Sequence, residues 1–206
     1  MTLSSIDEVV DKLVVEGLNH TLFQMGFNLN KKRRFQKKVG KCTLELNVHL
    51  RKIPGQEAGY VEVCPAIVYN ELEKLAAELE GEKPRKGWPT AAANIGNLKP
   101  DRDYTEWPIT TTTDIVALGE IVSNDIIKYA VPFWDDFRTI DGLITGYLNE
   151  DPRLTLTGSG YNWQMAAAYC LIGNKDRAQD VLKSWNKGRP PEAVLERAIN
   201  MILKMF

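Results

Sequence analysis

The sequence predicts an α+β fold: an N-terminal helix packed on an antiparallel β-meander of four to five strands, followed by an all-helical C-terminal part. Three observations predict it. Apolar residues recur at helical spacing over the first 25 positions, alternate strictly with polar ones from Cys42 to Arg51, and return to helical spacing in the last third.

At the N-terminus, Ser5 and Glu8 have capping-box spacing, in which each side chain satisfies the other's backbone N–H. Val9, Val10, Leu13, Val14, Leu18, Leu22 and Met25 come next on one face and Gly26 offers a stop, so a helix is expected over 5–25. Cys42, Leu44, Leu46, Val48 and Leu50 then alternate with Thr43, Glu45, Asn47, His49 and Arg51, which marks a strand with one buried and one wet face. Residues 33–39 read as its hairpin partner across Gly40-Lys41. Residues 60–69 read as a third strand, with Pro65 expected at an edge or bulge because it cannot donate to a ladder. Short connections favour antiparallel pairing.

Residues 71–80 read as a short polar helix and 82–90 as a loop. Residues 91–98 and 105–109 are expected to add two strands. A long helix should begin near Thr113 or Asp114, be ended or kinked by Pro132, and continue over 133–148. In the last third, Met165, Ala166, Tyr169, Ala178, Leu182 and Pro190 stand at the intervals of a tetratricopeptide helical hairpin with its turn at Gly173-Asn174. A final helix should present Val194, Ala198, Met201, Ile202 and Met205 on one face. One such hairpin cannot stack into a solenoid, so it is expected to pack on the rest. The domain reading is 1–150 for the α+β part and 151–206 for the helical part.

The 206 residues carry 26 Lys plus Arg against 27 Asp plus Glu, so no bulk charge drives the chain to nucleic acid or membrane. Cys42, Cys64 and Cys170 are too scattered for a zinc site or a disulfide framework. The start, MTLSSIDEVVDKL, lacks the basic and apolar regions of a signal peptide, and a cytoplasmic protein is expected. Walker-type glycine loops, GxSxG, HExxH and CxxC are all absent from the sequence. No catalytic residue, metal or cofactor is therefore assigned.

Histidine occurs only at His20 and His49. His49 lies on the polar strand face about 13 Å from Glu45 at roughly 3.3 Å per residue, so any orienting partner must come from a neighbouring strand. Lys31, Lys32, Arg33, Arg34, Lys37, Lys38 and Lys41 form a basic strip uninterrupted by acids, which suits either a phosphate ligand or a charged hairpin guarding a sheet edge. Phe35 is its only aromatic, which disfavours nucleic acid. Asp135, Asp136 and Asp141 suit a solvated helix end better than a metal site. Trp88, between Gly87 and Pro89, is the tryptophan placed to act as an exposed interface anchor.

The segments GFNLNKKRRFQKK, NIGNLKPDRDYTEWPI and YAVPFWDDF resemble the DUF4304-like bacterial domains of unknown function over about residues 1–150. The residues that carry the resemblance, Gly26-Phe27, Phe35, Trp107-Pro108, Ala130 and Pro132-Phe133, look structural. The resemblance implies a protein of the immunity type, which neutralises a toxin by binding it.

Two functions are therefore expected from the sequence. The first is a non-enzymatic protein-binding module whose contact residues are Lys32, Arg33, Arg34, Lys37 and Trp88, with a homodimer left open. The second is an enzyme or binder acting on a phosphate-bearing or nucleic-acid ligand through His49 and the basic strip 31–41.

Overall fold

The apolar stripe of the first helix and the alternating strand after it fold as the patterning demands. The computed structural model describes residues 5–84, 87–154, 161–185 and 189–205, and its architecture is α+β. The chain forms two compact units interleaved in sequence, residues 1–66 with 92–135 and residues 67–91 with 136–206.

In the first unit the capping box forms: the Ser5 N–H donates to Glu8 Oε2 at 3.1 Å and the Glu8 N–H to Ser5 Oγ at 3.4 Å. Helix α1 (Ile6–Lys12) runs on through a π-helical stretch (Leu13–Leu18) into α2 (Asn19–Gln24). Ile6, Val9, Val10, Leu13, Val14, Leu18 and Leu22 are buried. Gly26 comes next at φ +83°, the left-handed conformation that ends helices.

The sheet comprises β1 (Asn28–Lys31), β2 (Arg34–Val39), β3 (Cys42–Lys52), β4 (Ala58–Val68), β5 (Ala91–Ala92) and β6 (Trp107–Thr110). Its order is β1-β2-β3-β4-β5, with β6 also pairing β4. The register is as expected: Cys42, Leu44, Leu46 and Val48 are buried, Leu50 is half-buried and His49 is exposed. Glu45 departs from its expected wet surroundings and is buried. Strand β1, which the periodicity does not signal, pairs Asn28 and Leu29 with Gln36 and Phe35 before a bulge.

Pro65 lies within a strand flanked on both sides, not on an outer one. Its carbonyl accepts from the Ala93 N–H at 3.2 Å, so its donor-less nitrogen faces the same side. There pairing passes from β6, which ends opposite Val61, to the stretch after β5. The expected strand over 91–98 shrinks to two residues because residues 95–98 turn into a 3₁₀ helix (Ile95–Leu98). Asn94 is buried, accepting from the Gly96 and Thr105 N–H groups at 2.9 and 3.0 Å and donating to the Thr105 carbonyl at 2.9 Å.

Asp114 caps α4 (Ile115–Asp125) by accepting from the Val116 and Ala117 N–H groups. Pro132 neither ends nor breaks the helix. A second π-helical stretch (Ile126–Ala130) precedes it, with the Val131 N–H bonded five residues back to Ile126, and α5 (Val131–Phe137) continues. Trp134 on α5 packs on Phe27 with ring centroids 4.8 Å apart and donates Nε1–H to the Ala66 carbonyl at 3.1 Å. The expected continuous helix over 133–148 is interrupted after Phe137, because Thr139 caps a new helix, α6 (Ile140–Leu148), by accepting from the Gly142 N–H.

The second unit contains α3 (Asn70–Glu80), α6, α7 (Tyr161–Leu171), α8 (Lys175–Lys183) and α9 (Glu192–Met205). α3 is amphipathic rather than merely polar, burying Leu72, Leu75, Ala76 and Leu79. α7 and α8 form the expected hairpin, with Met165, Ala166, Tyr169, Ala178 and Leu182 buried and Gly173 at φ +78°. Trp163 and Trp185 meet edge-to-face at 5.0 Å. α9 buries the expected Ala198 and Ile202 together with Leu195, holds Val194 and Met201 half-buried, and exposes Met205. Arg197 on α9 donates to the Leu79 carbonyl at 2.7 Å, satisfying an orphan acceptor at the end of α3.

The first helix and α4 cross at two glycines. A Cβ on Gly119 would stand 2.6 Å from the Gly17 Cα, and one on Gly17 would stand 2.9 Å from the Ile115 oxygen. Gly119→Ala should therefore lower stability: overpacking against backbone costs about 1–3 kcal/mol, outweighing the roughly 1 kcal/mol of helix propensity that Ala restores. Urea unfolding measures this, and a variant as stable as the wild type would show that the crossing is not close.

Candidate functional site

The basic strip begins in the β1–β2 turn, and the turn's geometry decides where its charges go. Arg33 sits there at φ +67°, a conformation unusual for a side-chain-bearing residue. Its guanidinium points onto α1, where Asp7 and Asp11, four residues apart, share a face. Arg33 Nε donates to Asp11 Oδ1 at 2.7 Å, and Nη2 donates to Asp7 Oδ1 at 2.9 Å and to the Asp7 carbonyl at 2.8 Å. Lys32 pairs with Asp11 at 2.7 Å and Lys52 pairs with Asp7. The Arg33 side chain is only 15% exposed.

The carboxyls register this. Hydrogen bonds from Lys52 and then Arg33 hold Asp7 below its ordinary value of 3.8. Burial pushes Asp11 up, but the hydrogen bonds from Lys32 and Arg33 outweigh it and hold this carboxyl low as well.

Arg34 points to the other face of the sheet. Its Nη2 donates to both oxygens of Glu45, at 2.5 and 2.6 Å, and Gln36 Nε2 donates to Glu45 Oε1 at 2.6 Å. Glu45, expected in solvent, is 4% exposed because Gln36 stands directly opposite and Arg34 lies on the diagonal. Arg34 Nε is buried and has no partner. Lys37 points to the core side, donating to the Met25 carbonyl at 2.8 Å at the end of the first helix, with its ammonium 5.9 Å from the Phe27 ring centre.

Between the turn and the end of β3 lies an open hollow of about 330 Å³ lined by Lys31, Lys32, Arg33, Arg34, Asn47 and His49, among others. The structure thus brings His49 beside the basic turn. Among the described residues, no carboxylate lines the hollow. Counting the cations Lys31, Lys32, Arg33, Arg34 and Lys52 against Asp7, Asp11 and Glu45 leaves an excess of two positive charges. Lys31 and Lys32 are the exposed members lining the hollow.

The other residues singled out lie elsewhere. Trp88 belongs to the second compact unit and is 58% exposed, following Gly87 at φ +79°. His20 bonds Gln24 one helical turn away. Asp136 pairs with Arg153 at 2.8 Å. The three cysteines are free thiols, and burial pushes Cys64 and Cys170 up to about 11, away from reactive thiolate chemistry. Among the described residues, no group of three His, Cys, Asp or Glu is placed to share a metal ion, and no helix is long and apolar enough to cross a membrane.

No family model, curated protein or solved structure matches the chain.

The carboxylates under Arg33 give the helix–turn seam a defined acid sensitivity. Both ionise more readily folded than unfolded, so the stability they contribute is complete above about pH 5 and is lost as pH falls through 3.8 towards their lower folded values. Asp11→Asn should lower stability near neutral pH and make the loss on acidification below the ordinary carboxyl value of 3.8 shallower. Urea midpoints across that range check it, and an unchanged acid limb would detach Asp11 from the seam.

Proposed function

We propose that the protein is a non-enzymatic protein-binding module that docks an acidic partner on its basic β1–β2 hairpin. The observation that carries this reading is the hollow beside the turn, where an excess of cations meets Asn47 and His49 without a lining carboxylate among the described residues. Carboxylates of a partner would find donors already held in place there, which favours both recognition and electrostatic steering. Within this reading Lys31 and Lys32 meet the partner and Arg33 and Arg34 shape the surface beneath them; Trp88, on the second unit, is a separate exposed apolar contact. The family resemblance gives the reading its specific form, a bacterial cytoplasmic immunity protein that binds and neutralises a toxin.

A second reading takes its support from the position of His49 among these cations. A phosphate-bearing small ligand would be held in the hollow by Lys31, His49 and the inward edge of Arg34.

Capture from the native host, identification by mass spectrometry and purification of the captured protein set up the test. Lys31→Glu with Lys32→Glu should slow association about tenfold or more at low salt, and the difference should shrink as salt is raised. Trp88→Ala should act on dissociation instead. Arg33 is left intact because reversing it would also release the helix. If association rate and salt dependence stay unchanged in the double reversal, the hairpin is only a sheet-edge guard. If the hollow instead binds inorganic phosphate and His49→Ala abolishes that binding, the second reading replaces the first.

A further inference from the structure

The second compact unit carries a groove whose chemistry is opposite to that of the basic hollow. It is about 650 Å³, bounded by the end of α6, the start of α7 and the end of α8. Two tyrosines form one corner, Tyr147 and Tyr161, with ring centroids 6.1 Å apart and planes inclined by 33°. Leu148 and Tyr161, 63% and 47% exposed, line it side by side and leave an apolar surface open at the rim. Among the described residues that line it there is one carboxylate, Glu150, and no Lys, Arg or His. Glu150 is exposed and makes no ion pair among the described residues.

Behind the corner the polar chain also ends in an acid. The Tyr147 hydroxyl donates to Gln164 Oε1 at 2.8 Å, and Gln164 Nε2 donates to Glu73 Oε1 at 2.9 Å. The side chain of Thr90 also bonds Glu73. Both partners of this mostly buried carboxyl are neutral, and its burial pushes its pKa up. Tyr147 is therefore fixed in orientation, with its only proton committed inward.

We infer that this groove binds an organic cation with an apolar body, an aryl- or alkylammonium group. The exposed ring of Tyr161, backed by the buried Tyr147, attracts the cation, Glu150 supplies the counter-charge at the rim, and Leu148 with Met165 and Val181 cover the apolar body. An anion would meet Glu150 and the electron-rich face of Tyr161, with no cation among the described residues that line the groove. A neutral apolar ligand would gain nothing from Glu150.

The probe is benzyltrimethylammonium, titrated into the full chain and followed by amide NMR, with benzenesulfonate as its anionic counterpart. Expected is saturable binding of the ammonium, with shifts confined to residues near 147–150, 161–165 and 181–184, and none for the sulfonate. Glu150→Gln should weaken it about fivefold, as loss of one exposed charge contact does. Tyr161→Leu, which keeps apolar bulk, should weaken it by about threefold or more through loss of a ring face. Glu196→Gln, on the exposed face of α9, should leave it unchanged. The wild-type amide spectrum in each variant confirms folding. An acetylated, amidated lysine tripeptide, titrated alongside, assigns the site to a protein side chain if it binds more tightly and to a free cation if it does not. Equal binding of sulfonate and ammonium, or an unchanged affinity in Glu150→Gln, overturns the inference.

Discussion

The contact of two backbones at Gly17 and Gly119 is the constraint on which the first unit depends. Each glycine costs its helix about 1 kcal/mol relative to alanine, a cost that only close packing offsets. The close approach lets α4 and its continuation bury Leu118, Val122, Ile126 and Ala130. It also fixes the position of the first helix. From that position Asp7 and Asp11, one turn apart, face the β1–β2 turn, and Arg33 closes the gap with three hydrogen bonds. A helix further out would leave a guanidinium in largely buried surroundings with its partners beyond reach, which is the costly state of a broken ion pair. The position of the helix and the shape of the basic hollow are thus set by one steric constraint.

A run of basic residues takes on a different meaning once the chain is folded. In the sequence, residues 31–41 look like a field of free positive charge. In the structure Arg33 is committed to the helix, Arg34 to Glu45 and Lys37 to a helix carbonyl, so part of the strip builds the fold. The acidic partners lie 22–26 residues earlier or 11 later, at separations that no local pattern reveals. The surplus of charge survives, but it is carried by the exposed lysines of the strip, Lys31, Lys38 and Lys41 with the Asp11-paired Lys32, and shaped by the pairs beneath them.

Much of the fold is legible because it depends on periodicity. The capping box, the alternation of β3 and the small residues of the α7–α8 hairpin each report a local geometry, and each forms. The π-helical turns are harder to see, although the first leaves a sign. The apolar stripe steps from Val10 to Val14 to Leu18 to Leu22, four residues each time, and places Gly17 where an ordinary helix would put an apolar side chain. Pro132 reads as an end only when its missing N–H is weighed without the wider turn that absorbs it. Strand β1 escapes because its four residues are polar or exposed and carry no buried face. Of the site, the residue types are legible; the meeting of His49 with the turn is not, since it depends on β2–β3 pairing and on the Arg33 backbone.

Glu45 shows why the polar face of a sheet cannot be read as inert. It alternates out of the core like its neighbours, yet it is buried by two cross-strand donors. The pairing fixes register from the wet side: a slip of one residue would carry Glu45 into the apolar core and bring Leu44 and Leu46 out. A carboxylate so placed specifies the alignment of β2 with β3 as firmly as the buried leucines do. The same alignment sets Asn47 opposite Arg34, leaves His49 at the open end of β3 and so creates the hollow. Electrostatic pairing on this face therefore stabilises the register that generates the surface, while the charges left over at its rim remain available to a partner.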